Sequence, residues 1–436
     1  MVEMFEPYLY SARRLGRSKS MIALCLVLFV AQLVAAQQNL PASGDSQQEI
    51  NKALLQKIDL LESRVKELEA KQRMIAEPGP PPTPEIQVER VTKNVPSGAS
   101  TVSGNIHESM GPEEPRLRIR GFTDVAWHAS DRKGETNSFA LGQFNLFIKS
   151  SISRRLDMLA ELVIEADENN AVGVDLERML FRYSANDYFR LSMGRYHTAI
   201  GYYSTAYHHS AWLQTATGRP FIFAFEDEGG ILPIHNVGVS AEGRIPSGKF
   251  GLHYVAELGN GRTSRSKLAE AVQNKVDENN GKAVNIAVFA RPEAVRGLQV
   301  GFSFYHDNLT PDGLPNIRQS IVAAHVVYQT SRFEFLNEGI LIRHALVGSP
   351  TVFNTPAFYT QISRSIGRFR PYFRYQYVNV SETEPIFGDV GRQNGPSFGL
   401  RYDLGEFSAL KIQYDRTGNR QSNSSNGITT QLSFTF

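Results

Sequence analysis

His208-His209, with Ser204 and Ser210 close by and Glu226 and Asp227 further on, carries the side-chain types of a Ser-His-acid nucleophile or of a small metal site. Spacing argues against both. Adjacent histidines on an extended segment point to opposite sides and do not converge on one metal without a turn. The chain has no G-x-S-x-G, no HExxH and no acidic metal-loop spacing. Its single cysteine, Cys25, lies in an apolar leader, so the mature chain has no disulfide and no thiolate site. The expectation is a protein that is not an enzyme, with no cofactor and no metal, whose loop histidines hydrogen-bond and pack. Lys+Arg 46 against Asp+Glu 44 leaves a formal charge of +2, too small for a long-range field that would gather nucleic acid.

The elements before residue 116 read as an address, a clasp and a tether. Arg13, Arg14, Arg17 and Lys19 precede an apolar run from Met21 to Leu33 that ends in Val34-Ala35-Ala36, the pattern of an export signal over residues 1–36 cut after Ala36. Heptads follow within 48–76. Asn51, Ile58, Val65 and Gln72 stand at a, and Leu54, Leu61, Leu68 and Ile75 at d; Lys57 and Arg64 at g face Glu62 and Glu69 at e. That is the pattern of a parallel coiled coil, and it predicts a homo-oligomer joined through residues 50–75. Residues 77–115, opening on EPGPPPTP, have no period and read as a Pro-rich disordered linker.

From Arg116 to Phe436 the period is two. In Arg155–Ala166, Leu156, Met158, Ala160, Leu162 and Ile164 alternate with a set that contains Asp157, Glu161 and Glu165. About sixteen segments of roughly ten residues repeat this pattern, the length that crosses a bilayer when tilted. They begin near residues 116, 138, 154, 174, 188, 234, 249, 283, 298, 318, 332, 355, 369, 395, 407 and 427. Joins after even-numbered segments are short, as at Thr330-Ser331; joins after odd-numbered ones are longer and polar, up to Tyr196 to Pro233. A sandwich has no reason to sort its loops. An antiparallel transmembrane β-barrel does, because inside lipid every backbone polar group needs a protein partner and only closure removes the edges. The fold class expected is all-β, a barrel over 116–436 with its apolar face on outer-membrane lipid and a water-filled interior.

These residues resemble the Gram-negative outer-membrane porins, through the export signal, the loop parity, the long third loop and the terminal aromatic. Met193-Gly194-Arg195 followed by His197-Thr198-Ala199-Ile200-Gly201-Tyr202 is similar to the phosphate-selective, O/P-type porins. The resemblance implies passive diffusion of small hydrophilic solutes, a trimer, and a terminal signal of Leu432, Phe434 and Phe436 read by the barrel-assembly machinery. It places the barrel in the outer membrane with the N-terminal coiled coil in the periplasm. It also implies a third loop folded into the lumen as a constriction. Its Tyr202, Tyr203, Tyr207, Trp212, Phe221, Phe223 and Phe225 are too many aromatics for a solvated loop and need a surface to pack on; the alternative for this loop is an external lid. The polar candidates at the constriction are His197, His208, His209, Gln214, Arg219, Glu226, Asp227 and Glu228, with Tyr202 and Tyr203.

Alternation puts Arg118, Arg120, Lys149, Arg178, Arg182 and Arg190 inward, and also Arg244, Arg291, Arg370, Arg374, Arg401 and Lys411. Against them stand Asp124, Asp157, Glu161, Glu165, Glu242, Glu257, Asp403 and Asp415. The balance tilts towards anionic solutes, although the interleaved acids reduce the field. The dense Arg ladder of the phosphate-selective family is not recognisable in this spacing. Two other readings are carried, an outer-membrane barrel hydrolase and a surface receptor or adhesin. Lys267 to Val276 is expected as a short helix in the fourth loop.

Overall fold

A computed structural model describes residues 116–167, 169–207, 211–226, 228–265, 270–420 and 424–436. The export signal, the coiled coil over 48–76 and the linker over 77–115 lie outside the described residues.

The described chain forms one closed antiparallel barrel of sixteen strands. In chain order they are β1 (Arg116–Ser130), β2 in two pieces (Ser138–Leu141 and Phe144–Ser151), β3 (Leu156–Ala166), β4 (Val172–Asn186), β5 (Phe189–His197), β6 (His235–Arg244), β7 (Leu252–Gly259) and β8 (Ala283–Ala290). The second half holds β9 (Leu298–Leu309), β10 (Ile317–Gln329), β11 (Phe333–Leu346), β12 (Val352–Arg364), β13 (Phe369–Asn379), β14 (Arg392–Asp403), β15 (Ser408–Asn419) and β16 (Ser425–Thr435). Every strand start expected from the two-residue period lies within three residues of the observed one. Closure is made by β1 on β16, in a register from Phe122↔Thr435 to Ser130↔Gly427. Both pieces of β2 pair with β1 and are one strand interrupted at Gly142-Gln143. A Cβ on Gly142 would fall 2.2 Å from the Asp124 carboxylate, so the break needs a residue without a side chain.

Exposure is inside out relative to a soluble sheet. On β8, Ile286 is 53% exposed whereas its neighbour Asn285 is 1% exposed. Leu117, Ile119, Phe181, Met193, Phe302 and Phe398 stand exposed on the same outer surface. An apolar outer face on a barrel with no free edge is the solution lipid requires.

Two features differ from the sequence reading. Loop sorting is weaker than expected, because β6 and β7 are joined by 245–251 and β8 and β9 by 291–297, both longer than the opposite-side join 347–351. The strands simply run further on that side. The fourth-loop helix is not formed over its described part: residues 270–276 make no helix, and Val272 instead bridges to Arg262. The hydrophobic core lies inside the barrel, between the third loop and the inner wall of β8–β13.

Candidate functional site

The third loop, 198–234, leaves β5 and crosses to the far wall, and the wall meets it with two kinds of side chain. Carboxylates take its first N–H groups. Ala199 donates to Glu257 (3.0 Å), Tyr202 and Tyr203 donate to Glu338 (2.5 and 3.1 Å), and the Tyr207 hydroxyl reaches Glu334 (3.2 Å). Cations take its later carbonyls. Lys411 donates to Ala211 and Ala216, Arg401 to Trp212 (2.7 Å) and Gln214 (3.0 Å), and Arg374 to Gly218 (3.1 Å) and Thr217 (3.3 Å). An irregular segment buried in a barrel has backbone groups that neither water nor a ladder satisfies, so charged side chains that supply strong hydrogen bonds are the physical requirement.

The aromatics of the loop complete the attachment. Tyr203 stacks on Phe223 (5.3 Å between centroids, 16°) and meets Tyr359 of β12 edge-on (5.9 Å, 86°). Beneath them the inward faces of β10 and β11 carry an apolar patch of Ile321, Ala323 and Val327, then Leu336, Ile340 and Ile342, all buried, between His325 and the anchors Glu334 and Glu338. Arg219 braces the loop internally. Its guanidinium lies 4.0 Å over the Phe225 ring and donates to the Phe223 and Tyr207 carbonyls. Burial lowers the Arg219 pKa and pushes the Tyr203 phenol up to about 12.

Of the expected constriction residues, His197 donates through Nδ1–H to the Ser204 carbonyl (3.0 Å), since a carbonyl only accepts. The Ser204 hydroxyl donates towards the Thr198 and Ile200 carbonyls. Gln214 is buried under Arg401. Glu226 lies against His235, accepting from its backbone N–H (2.7 Å) and facing Nδ1 (3.0 Å). Burial opposes ionisation of Glu226, but His235 and Arg262 outweigh it and hold its pKa below the usual carboxylate value. Glu228 is exposed, and His208, His209 and Asp227 lie outside the described residues.

The expected wall charges divide into engaged and water-facing sets. Arg178 and Glu161 form a buried pair at 2.6 Å, and Glu165 accepts from Gln143 (2.7 Å). Arg370 reaches Ser365 (3.0 Å) and Thr215 (3.4 Å). Arg182 and Arg190 share Glu242 at 3.5 and 4.0 Å and keep side-chain exposures of 24% and 38%. Arg291, exposed beyond β8, donates to Gln299 (2.8 Å). Arg118 and Arg120 are exposed on the strand face that also carries Asp124. At the chain end, Phe436 N–H and C=O both pair with Gly121 (3.0 and 2.8 Å), and its ring lies 5.9 Å from Phe144. Leu432 and Phe434 precede it on β16, opposite Val125 and Thr123.

Sequence reasoning missed Glu334, Glu338 and Tyr359, whose roles depend on a loop distant in the chain. It also missed Glu177, because a bulge in β4 shifts the register opposite Glu161 and Leu162 and breaks the strict alternation. Glu177 meets His235 Nε2 at 2.8 Å and Arg195 at 3.4 Å. Among the described residues no three His, Asp or Glu side chains are grouped to hold a metal ion.

No family model and no curated protein matches the sequence. Solved structures do match in fold. The anion-selective porin from Comamonas acidovorans is 13% identical, with 74% of this chain and 100% of that chain covered at a TM-score of 0.53. OmpF of Salmonella typhi, in complex with daunomycin, is 11% identical over 73% and 97% of the two chains, also at 0.53. OmpT, an outer membrane protein of Vibrio cholerae, is 10% identical over 76% and 100%, at 0.51. What these likenesses establish is the architecture: the chain has the transmembrane β-barrel fold of outer-membrane porins.

Proposed function

We propose that this chain is an outer-membrane porin, a passive channel for small hydrophilic solutes. The observation that carries the reading is the inversion of the barrel, with apolar side chains exposed on its outer face, charged ones inside, and the longest loop held against the inner wall. A porin needs all three: a lipid-compatible exterior, a wettable interior and a device that narrows it. The third loop, with Tyr202, Tyr203, Gln214 and Arg219, is that device, and no energy source is required.

Selectivity in this reading is mildly anionic. Arg374, Arg401 and Lys411 are buried beneath the loop and hold its carbonyls, whereas Arg182, Arg190, Arg244 and Arg291 face the interior around Glu242. The cationic excess therefore sits on the β4–β8 wall together with Arg118 and Arg120 of β1. Kinship with the O/P-type porins, export through residues 1–36, trimerisation through the 48–76 helix in the periplasm, the 77–115 tether, and recognition of Leu432, Phe434 and Phe436 by the assembly machinery belong to the same proposal. The purified protein in a planar bilayer tests it. Steady ohmic steps with a reversal potential displaced towards the anion side in a KCl gradient are expected. An electrically silent protein that hydrolyses lipid or peptide would replace this reading with the hydrolase one.

A further inference from the structure

One group of wall charges that the third loop does not engage lies at the short-turn end of β6–β8. Arg244 ends β6 and is the cross-strand partner of His253 on β7, which is in turn the partner of Phe289 on β8. These three are neighbours on one inward-facing row. The His253 and Phe289 rings are parallel, 5.1 Å apart at 5°, and the Arg291 guanidinium lies 4.9 Å from the same Phe289 ring. His253 Nδ1 is committed to the Gly251 carbonyl at 2.9 Å. A carbonyl only accepts, so the proton is on Nδ1, and Nε2 is the ring atom left for a further partner. Arg244 and Arg291 are exposed. Two acids lie across the strands: Glu242, shared by Arg182 and Arg190, and Asp187, whose backbone carbonyl accepts from the Arg244 N–H (3.0 Å) and whose carboxylate pairs with Arg190 at 3.8 Å.

We propose that Arg244, His253, Phe289 and Arg291 form an oxyanion-binding station on the inner wall at the short-turn mouth of the barrel. Its ligand is a small solute bearing a phosphate or a carboxylate. The site deepens the channel reading and rests on it. Two guanidiniums flanking a stacked ring pair offer planar, bidentate donors to an oxyanion and an aromatic face to a flat substituent. It borders the third loop, whose Tyr202 ring lies 5.9 Å from His325, but its arginines differ from Arg374 and Arg401, which backbone carbonyls of the loop occupy. Arg291 is anchored through Gln299, which is fixed by His325 on β10 (3.0 Å), so the guanidinium is held rather than free to swing.

The test uses the full-length protein in planar bilayers carrying chloride current, with inorganic phosphate, acetate or benzoate added to one chamber at a time. Concentration-dependent block is expected, stronger from the chamber facing the short turns. The phosphate and carboxylate arms identify the source of the oxyanion, and benzoate blocking more strongly than acetate reports the stacked rings. Arg244→Gln with Arg291→Gln should raise the half-blocking concentration about tenfold, whereas Arg244→Lys with Arg291→Lys, which keeps the charge, should restore part of it. Conducting wild-type channels that none of the three anions blocks, or block unchanged in the Gln pair, would overturn the station and leave the channel standing. Absence of conductance in every variant would overturn the channel reading and the station with it.

Discussion

Lys411 is 0% exposed, and among the described residues its ammonium contacts no carboxylate; it donates to Ala211, Ala216 and Gln431 instead. A buried cation held by carbonyls is sustained only while the loop stays in place, so loop and side chain depend on each other. Lys411→Met keeps the stem but leaves two loop carbonyls without a donor, which costs about 1–3 kcal/mol for a buried acceptor. The expected outcome is an earlier unfolding midpoint in guanidinium and noisier single-channel current, read on the same preparation. Glu278 gives a pH effect outside the membrane. Burial raises its pKa, but the Ser264 N–H and hydroxyl, the Thr310 N–H and the Thr263 hydroxyl together hold it below the usual value of 4.5. With the folded pKa depressed, its contribution is complete above the unfolded value and fades as pH falls through the folded one. The joint between the fourth loop and Thr310 should therefore open at acid pH. Hydrogen exchange of the Ser264 and Thr310 amides should accelerate below pH ~4.5 beyond the intrinsic trend, and flat protection down to pH ~3 would contradict it.

At the scale of elements, what the sequence revealed and what it hid have separate physical causes. Strand positions were legible because lipid outside and water inside impose one polar and one apolar face over most of the barrel, as Val284, Ile286 and Val288 show against Asn285. Strands β10 and β11 depart from that rule. Ile321, Ala323 and Val327 face inward, interrupted by His325, while Val322 and Val326 face lipid, so the run is largely apolar on both faces. A strand covered on both sides has this composition, and here the inner cover is the third loop, whose aromatics already demanded a wall. The loop's attachment was legible from its own residues; the identity of Glu338, Glu334 and Lys411 as its anchors was not, since alternation reports the face of a side chain and not its partner. Closure depends on β1 and the chain end in a comparable way. A Cβ at Gly121 would lie 2.1 Å from the Phe436 ring, so Gly121→Ala must displace that ring from the β1–β2 surface. The expectation is a lower heat-denaturation temperature of the folded band in detergent gels, with Phe436→Ala lowering it in parallel and the double substitution adding little.

For the whole molecule, the filled part of the lumen matters as much as the barrel's circumference. Strand number sets the width of the wall, and sixteen strands leave an aqueous interior unless something occupies it. Here residues 198–234 occupy the side lined by β9–β15, tied by carboxylates at one end and cations at the other. The wall the loop leaves free includes β4–β8 with Arg182, Arg190, Arg244 and Arg291, and β1 with Arg118 and Arg120, so the solute path and the cationic excess coincide in this reading. Removing residues 206–216 takes away the carbonyls that Arg401 and Lys411 hold at Ala211, Trp212, Gln214 and Ala216 and returns both cations to the lumen. Two changes should follow together. Single-channel conductance should rise, because the packed segment no longer narrows the interior, and anion preference should also rise, because two buried charges become water-exposed. A loop acting only as an outer lid would alter neither the step size nor the reversal potential. A deletion that widens the channel without strengthening anion preference would mean that Arg401 and Lys411 find other partners inside the barrel.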